Sequence, residues 1–198
     1  GGKGRWQRAG TDQAQHATGM RNRGVVSWVD FCPRFLDWCG VDHPAGVATL
    51  PGRSLLPVLR DEGTCPGGGA WEETYYSHCF HEVTNYYPYR ALRGRRYKYV
   101  RNLAHELSTP LPSDLFRSRT WTAVRESGVS APGERPRDGL VRQSREALFD
   151  MESDPIESTN LIDDTAHAEV AGEMRAELMQ FRIDTRDPWL EQSFQEGE

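Results

Sequence analysis

The concentration of tyrosine in one short stretch is the sequence feature that most restricts the fold. All seven tyrosines of this 198-residue chain lie between Tyr75 and Tyr99. Tyrosine is enriched in β-strands, so this stretch predicts a sheet rather than a helix. The predicted strands cover residues 74–83, 89–92, 96–100 and 147–151. The second and third of these strands form a hairpin that turns at Arg93-Gly94.

Apolar periodicity predicts a helix before and after this sheet region. Apolar side chains recur at helical spacing in residues 25–39, where Ser27 or Asp30 would cap the start and Gly40 would end the helix. The long C-terminal helix is expected over residues 166–183. Its acidic N-cap is Asp163-Asp164-Thr165. Its apolar stripe comprises Val170, Met174, Leu178 and Phe181. Brief helices are expected within residues 50–59 and 118–126. These elements predict an α+β fold, in which a small antiparallel sheet packs against the C-terminal helix and a helical stub precedes the sheet.

Composition excludes several classes of protein. No apolar run approaches the ~18 residues of a membrane span, and the first ten residues lack the apolar region of a signal peptide. A net charge of −5 argues against general nucleic-acid binding. We expect residues 1–24 to be irregular and, because no initiator methionine is present, the chain to be a piece of a longer protein. The four cysteines are Cys32, Cys39, Cys65 and Cys79, and they form no C-x-x-C pair. We expect them to be free, partly buried thiols, and Cys32 to lie in the core.

Two polar segments are candidates for function. His81 and Glu82 lie at the end of the first predicted strand and could line a substrate pocket or form an ordinary half-buried strand end. A metal site is disfavoured there, because residues 78 and 81 point to opposite faces of a strand. The basic segment 90–101 could bind a sulfated ligand or nucleic acid, but a charged outer face that protects a sheet edge is the simpler reading.

Four segments together resemble the C-terminal region of sulfatases, in the alkaline-phosphatase-like superfamily. Residues 26–41 resemble the family's V-S-x-V-D-x-x-P-T-x-L-D-x-x-G helix, and residues 50–57 match its G-R-S-L-L-P turn. Residues 89–99 resemble its M-R-A-V-R-x-x-R-Y-K-Y hairpin. Residues 148–161 resemble its L-Y-D-L-x-x-D-P-x-E-x-x-N-L segment. Residues 81–103, together with Asp187-Pro188-Trp189, are most similar to the N-sulfoglucosamine sulfohydrolase (sulfamidase) branch.

The resemblance implies a domain plan and a set of site residues. Residues 25–70 would end the large α/β sulfatase domain, residues 71–190 would form the C-terminal subdomain, and residues 191–198 would be a tail. The implied reaction is hydrolysis of sulfate esters or sulfamates of sugars. His81 and Glu82 would contact the sugar, and Arg90 would orient Glu82, pair with it or meet an anionic group. Full-length relatives are typically exported, and a homodimer is one expected arrangement.

The family's catalytic apparatus has no counterpart in the sequence. The resemblance implies a formylglycine made from a C-x-P-S-R cysteine and a calcium ion held by Asp and Asn side chains. No C-x-P-S-R motif or matching metal-ligand set occurs here. We therefore expect no catalytic residue and no metal ligand in this chain, and no sulfatase activity from it alone. The alternatives are a non-catalytic module that binds sulfated glycans through its basic hairpin and a non-functional gene remnant.

Overall fold

The computed structural model describes residues 21–41, 50–60, 71–131, 133 and 136–190. The chain divides into two compact units, residues 1–74 and 75–198. The irregular start predicted for residues 1–24 falls largely outside the described residues. Cys65 and the predicted tail 191–198 lie outside them entirely.

The first unit contains the predicted early helix. A 3-10 turn, Trp28–Asp30, continues into α1 (Phe31–Cys39), and α2 (Leu56–Arg60) follows. Gly40 ends α1 with a φ of 62°, in the left-handed region that glycine adopts without strain. The predicted start and end of this helix are therefore confirmed.

The turn at residues 50–57 packs closely against the start of the early helix. A β-carbon at Gly52 would clash with the Val29 carbonyl group, so only glycine fits there. The buried carboxylate of Asp30 accepts hydrogen bonds from the backbone N–H groups of Ser27 and Arg53, at 2.8 and 2.9 Å. Ser54 Oγ donates to the Asp37 carboxylate at 2.6 Å. These contacts explain the glycine and the serine of this turn, whereas Arg53 contacts Asp30 only through its backbone N–H.

The apolar face of α1 is exposed in the part of the chain that the structure describes. Trp28, Phe35 and Trp38 are 87%, 57% and 63% exposed. The expectation that Cys32 is a core cysteine is wrong, because both Cys32 and Cys39 are exposed. Helical spacing predicted an apolar face, but spacing alone does not show that anything covers it.

The sheet has four strands in the order β1-β2-β3-β4, where the last two pairings are antiparallel. The strands are β1 (Thr74–His81), β2 (Asn85–Arg93), β3 (Tyr97–Asn102) and β4 (Glu146–Asp150). The turn between β2 and β3 follows Arg93, as predicted, and the Gly94 N–H donates to the Tyr97 carbonyl at 2.9 Å. The sheet prediction is confirmed, although β2 begins four residues before the predicted start.

Among the described residues of the second unit, four helices follow the hairpin. They are α3 (Ser113–Phe116), α4 (Arg119–Glu126), α5 (Arg137–Val141) and α6 (Ala168–Asp184). Ser118 caps α4, and Asp164 caps a 3-10 turn, Thr165–His167, that leads into α6. The structure therefore confirms the long C-terminal helix. No sequence pattern predicted α3 and α5, which are too short to show a periodicity. None of the described helices is both long enough and apolar enough to cross a membrane.

Helix α6 covers one face of the sheet. Leu92, Tyr99 and Leu148 occupy one register row across β2, β3 and β4 and form the main core with α6. The helix residues in this core are Ala171, Met174 and Leu178. The opposite face carries a smaller cluster built on Ala91, Val100 and Ala147. The predicted α+β arrangement of a small sheet packed against a long helix is confirmed.

Glu146 connects α6 to the sheet. Its carboxylate accepts two hydrogen bonds from the Arg175 guanidinium of α6, at 2.8 and 3.0 Å. It also accepts from Tyr99 Oη at 2.6 Å and from Arg101 at 3.0 Å. The Arg175 hydrogen bonds outweigh the opposing effect of burial and, with Tyr99 and Arg101, lower the pKa of Glu146 to about 2.

We predict that Glu146 makes the second unit sensitive to acid. Its pKa is lower in the folded chain than in the unfolded chain, so its stabilising contribution is fully present above about pH 4.5 and is lost towards pH 2. Over that range, the free energy of unfolding measured in urea should fall more steeply for the wild type than for Glu146→Gln. Glu126→Gln, at an exposed position in α4, should keep the wild-type slope. Parallel profiles for Glu146→Gln and wild type would contradict this role.

Candidate functional site

The candidate site lies at the turn between β1 and β2. His81 is the last residue of β1, Glu82 follows in the turn, and both side chains are exposed. The turn continues through Val83, which is 94% exposed. The structure therefore places His81 and Glu82 next to each other at the solvent-facing end of the sheet.

Glu82 has a strained backbone and a fixed side chain. Its φ of 60° lies in the left-handed region, which costs a non-glycine residue about 1–2 kcal/mol. Its carboxylate accepts hydrogen bonds from the N–H and Oγ of Ser113, at 3.0 and 2.8 Å, and lies 3.4 Å from Asn85 Nδ2. The backbone and hydroxyl donors of Ser113 lower the pKa of Glu82. The turn thus presents an ionised carboxylate in a defined position.

Arg90 lies in a different environment from the other two predicted site residues. Its side chain is 8% exposed and forms a two-point ion pair with Asp187, in which Nε and Nη2 each lie 2.8 Å from a carboxylate oxygen. Arg90 Nη1 donates to the backbone carbonyls of His78 and Tyr89. The expectation that Arg90 pairs with Glu82 is therefore wrong, since its carboxylate partner is Asp187.

Asp187 accepts hydrogen bonds from a second buried arginine. Arg182 Nε donates to Asp187 Oδ2 at 2.8 Å, and the Arg182 and Asp187 side chains are only 2% and 5% exposed. Burial raises the pKa of the Asp187 carboxyl, but the hydrogen bonds from Arg90 and Arg182 outweigh it, and the net result is a lowered pKa. Asp187 thus remains charged between two guanidinium groups.

The end of α6 brings Asp187 back to these arginines. Arg186 has a φ of 52°, and its N–H donates to the Ile183 carbonyl while the Asp187 N–H donates to the Arg182 carbonyl. This pair of bonds is a Schellman motif, which reverses the chain at a helix C-terminus. Arginine occupies the left-handed position where glycine is usual.

Trp189 extends this network to the strand that follows the candidate turn. The Arg90 guanidinium lies 4.8 Å from the centre of the Trp189 ring, within the range of a cation–π interaction. Trp189 Nε1 donates to Tyr86 Oη at 3.0 Å, and Tyr86 lies near the start of β2. The segment 187–189 therefore contacts β2 at both Tyr86 and Arg90, close to the turn that carries His81 and Glu82.

The described residues contain no group of three or more His, Cys, Asp and Glu side chains that could hold a metal ion. His78 Nδ1 lies 3.0 Å from the Tyr87 carbonyl oxygen, and its ring stacks on Tyr89. The calcium ion implied by the family resemblance therefore does not fit this part of the chain, and no step is derived through it.

Two residues that shape the site, Ser113 and Arg182, were not predicted from the sequence. Ser113 is 31 positions from Glu82, and no pattern connects the two. Arg182 did leave a signal, because it follows Leu178 by four residues and continues the buried stripe of α6. A charged residue at a buried position of a helical stripe indicates a buried ion pair.

Comparison with known proteins identifies the relatives of the chain, although no family model matches it. It is 30% identical over 181 residues to the human protein named N-sulphoglucosamine sulphohydrolase, a match that covers 87% of this chain and 35% of that protein. It is 33% identical to an ulvan-active sulfatase of Formosa agariphila, over 84% of this chain and 25% of that protein. A shorter match, 39% identical over 36% of this chain, is to an N-acetylglucosamine-6-O-sulfatase of Bacteroides thetaiotaomicron.

A solved structure supports the fold. A protein in complex with its substrate D-glucosamine-2-N,6-O-disulfate matches with a TM-score of 0.51 and 20% identity, over 80% of this chain and 24% of that one. The homologues of this chain are therefore sulfatases, which confirms the resemblance seen in its motifs. The chain spans about a third, or less, of the length of the curated relatives that it matches.

We predict that Asp187 is essential for the stability of the second unit. Asp187→Asn leaves two buried guanidinium groups without their shared carboxylate and should lower the free energy of unfolding by about 3–5 kcal/mol. Asp138→Asn is the matched control, because the Asp138 side chain is 94% exposed, and it should change stability by less than about 0.5 kcal/mol. Urea unfolding followed by circular dichroism measures both values. Equal effects of the two variants would show that the network contributes little.

Proposed function

We propose that this chain is the C-terminal portion of a sulfatase-type hydrolase that acts on sulfate esters or sulfamates of sugars, similar to N-sulfoglucosamine sulfohydrolases. The observation that carries the proposal is the 30% identity with a human enzyme of that name over 87% of the chain. The match to a structure bound to a glucosamine disulfate supports the fold of such a portion. We include in this proposal the activity, the substrate and the partners of the complete protein.

In the proposed protein, His81 and Glu82 form part of the wall of the substrate pocket. A carboxylate accepts hydrogen bonds from sugar hydroxyl and amino groups, and an imidazole can donate to a sulfate oxygen. The hydrogen bonds from Ser113 to Glu82 hold that acceptor in place before a sugar arrives. A preorganised acceptor binds a sugar at a lower entropic cost than a freely rotating side chain does.

The contacts of Arg90 favour a positioning role over direct contact with the sugar. Its Nε and Nη2 donate to Asp187, and its Nη1 donates to backbone carbonyls of β1 and β2. Arg90 thereby holds the two strands that flank the candidate turn next to each other. Its loss would move His81 and Glu82 through the backbone of those strands.

The proposal assigns the chemical step to residues outside this chain. The chain lacks the C-x-P-S-R motif from which sulfatases make formylglycine, and the described residues do not fit a calcium site. The missing N-terminal α/β domain would supply both groups in the full-length protein, which we expect to be exported and to be able to form a homodimer. This chain would contribute part of the pocket wall and structural support.

The alternative of a separate glycan-binding module depends on free arginines in the β2–β3 hairpin. Arg96 donates to the Asp150 carboxylate at 2.8 and 3.1 Å. Arg93 Nη1 donates to the carbonyls of Gly94 and Arg95. Because these guanidinium groups already donate to a carboxylate of β4 and to backbone carbonyls of the turn, their contacts support the sulfatase portion over the separate module.

We predict that the purified chain does not hydrolyse sulfated sugars. Incubation with N-sulfoglucosamine and calcium should release no sulfate above background, measured by ion chromatography. The positive control is a full-length sulfatase under the same conditions. Sulfate release that persists after repurification of the chain would contradict the assignment of the chemical step to residues outside it.

We further predict that Glu82 contributes to sugar binding. Titration of the ¹⁵N-labelled chain with N-sulfoglucosamine should shift the amide signals of residues 81–85 and 113. Glu82→Gln, which retains an oxygen for the Ser113 donors, should weaken binding about tenfold, because a charge-assisted hydrogen bond becomes a neutral one. Glu126→Gln should bind like the wild type. Shifts confined to residues 93–96, together with loss of heparin binding in Arg93→Ala and Arg95→Ala, would favour the glycan-binding module.

A further inference from the structure

A cleft of about 430 Å³ lies on the face of the sheet that α6 does not cover. Its floor is apolar and includes Val100, Ala147 and the half-buried ring of Phe149. One wall contains α5 and the residues after it, and the other contains Glu157, Ser158 and Asn160. The volume falls within the range of ~300–1,000 Å³ that is typical of small-molecule sites.

Asn102 lines this cleft and has a buried hydrogen-bond acceptor that is not used. The residue is 2% exposed, and its Nδ2 donates to the Ser144 carbonyl. Its Oδ1 has no hydrogen-bond partner among the described residues. Buried side-chain oxygens are nearly always hydrogen-bonded, so an orphaned one in a cleft indicates a ligand that donates an O–H or N–H group.

Charged groups of both signs line the cleft, namely Lys98, Arg142 and Glu157. Lys98 Nζ donates to both oxygens of Glu157, at 2.9 and 2.8 Å. Glu157 has a φ of 58°, a left-handed conformation that a non-glycine residue rarely adopts. An acceptor oxygen and a carboxylate beside these cations disfavour a purely anionic ligand and provide both donors and acceptors for hydroxyl groups.

We propose that this cleft binds a neutral sugar ring. A pyranose has an apolar face that suits the floor of Val100, Ala147 and Phe149, and hydroxyls at its edge that can donate to Asn102 Oδ1. An aliphatic ligand would leave Asn102 unpaired, whereas an inorganic anion would meet the acceptor oxygen and the Glu157 carboxylate. The cleft shares no residue with the His81–Glu82 turn, so this inference stands independently of the proposed function.

Gly139 allows the cleft to be blocked without disturbing the fold. It lines the cleft, and a β-carbon at this position would meet no atom within 4 Å. Gly139→Phe should therefore place a ring in the cleft at no steric cost to the backbone. Gly172→Phe in α6 is the matched control, since a β-carbon there also meets no atom within 4 Å and the residue does not line the cleft.

The experiment measures binding of cellobiose, lactose and N,N′-diacetylchitobiose to the full chain by saturation-transfer NMR and ¹⁵N chemical-shift titration. We expect at least one disaccharide to shift the Asn102 side-chain amide and its binding to weaken at least tenfold in Gly139→Phe but not in Gly172→Phe. Circular dichroism checks that both variants are folded. Absence of binding by all three sugars, or equal binding by a folded Gly139→Phe variant, would overturn the proposal. So would inorganic sulfate that shifts the same amide and displaces the sugar.

Discussion

The buried carboxylate of Asp187 is the interaction on which the C-terminal half of the structure depends. Two guanidinium groups, from Arg90 in β2 and Arg182 in α6, share this one acceptor. The cost of removing three charges from water is offset because each guanidinium also donates to backbone carbonyls, those of His78 and Tyr89 for Arg90 and that of Trp189 for Arg182. The ion pair therefore fixes where the chain goes after α6, and Trp189 is placed against β2 as a consequence.

Strand register explains why two separate carboxylates are needed on the helix-covered face. Arg90 pairs with Arg101 across β2 and β3, so two cations lie directly opposite each other on one face. Like charges in that arrangement repel unless each has its own counter-ion. Asp187 is the counter-ion of Arg90, and Glu146 is the counter-ion of Arg101. Each carboxylate also forms an ion pair with an arginine of α6, Asp187 with Arg182 and Glu146 with Arg175, so both attach the helix to the sheet.

Local patterns in the sequence predict the elements better than they predict the contacts between elements. Tyrosine enrichment correctly indicated the first three strands, and helical spacing indicated α1 and α6, because strand preference and amphipathic periodicity are local properties. The Arg90–Asp187 contact joins residues 97 positions apart, and no local rule pairs them. The arginines of the β2–β3 hairpin formed a conspicuous basic run in the sequence, yet in the structure Arg96 pairs with Asp150 from β4. Side-chain partners of this kind depend on the tertiary fold.

The protonation state of Glu82 limits what the candidate turn can do. Donors from Ser113 lower the pKa of its carboxyl, so Glu82 is ionised throughout the physiological pH range and cannot serve as a general acid there. An ionised carboxylate in a fixed, left-handed turn is suited to accept hydrogen bonds from a ligand. The local chemistry at this turn therefore agrees with the proposed role of the chain, in which it selects and orients a sugar while residues elsewhere in the protein carry out hydrolysis.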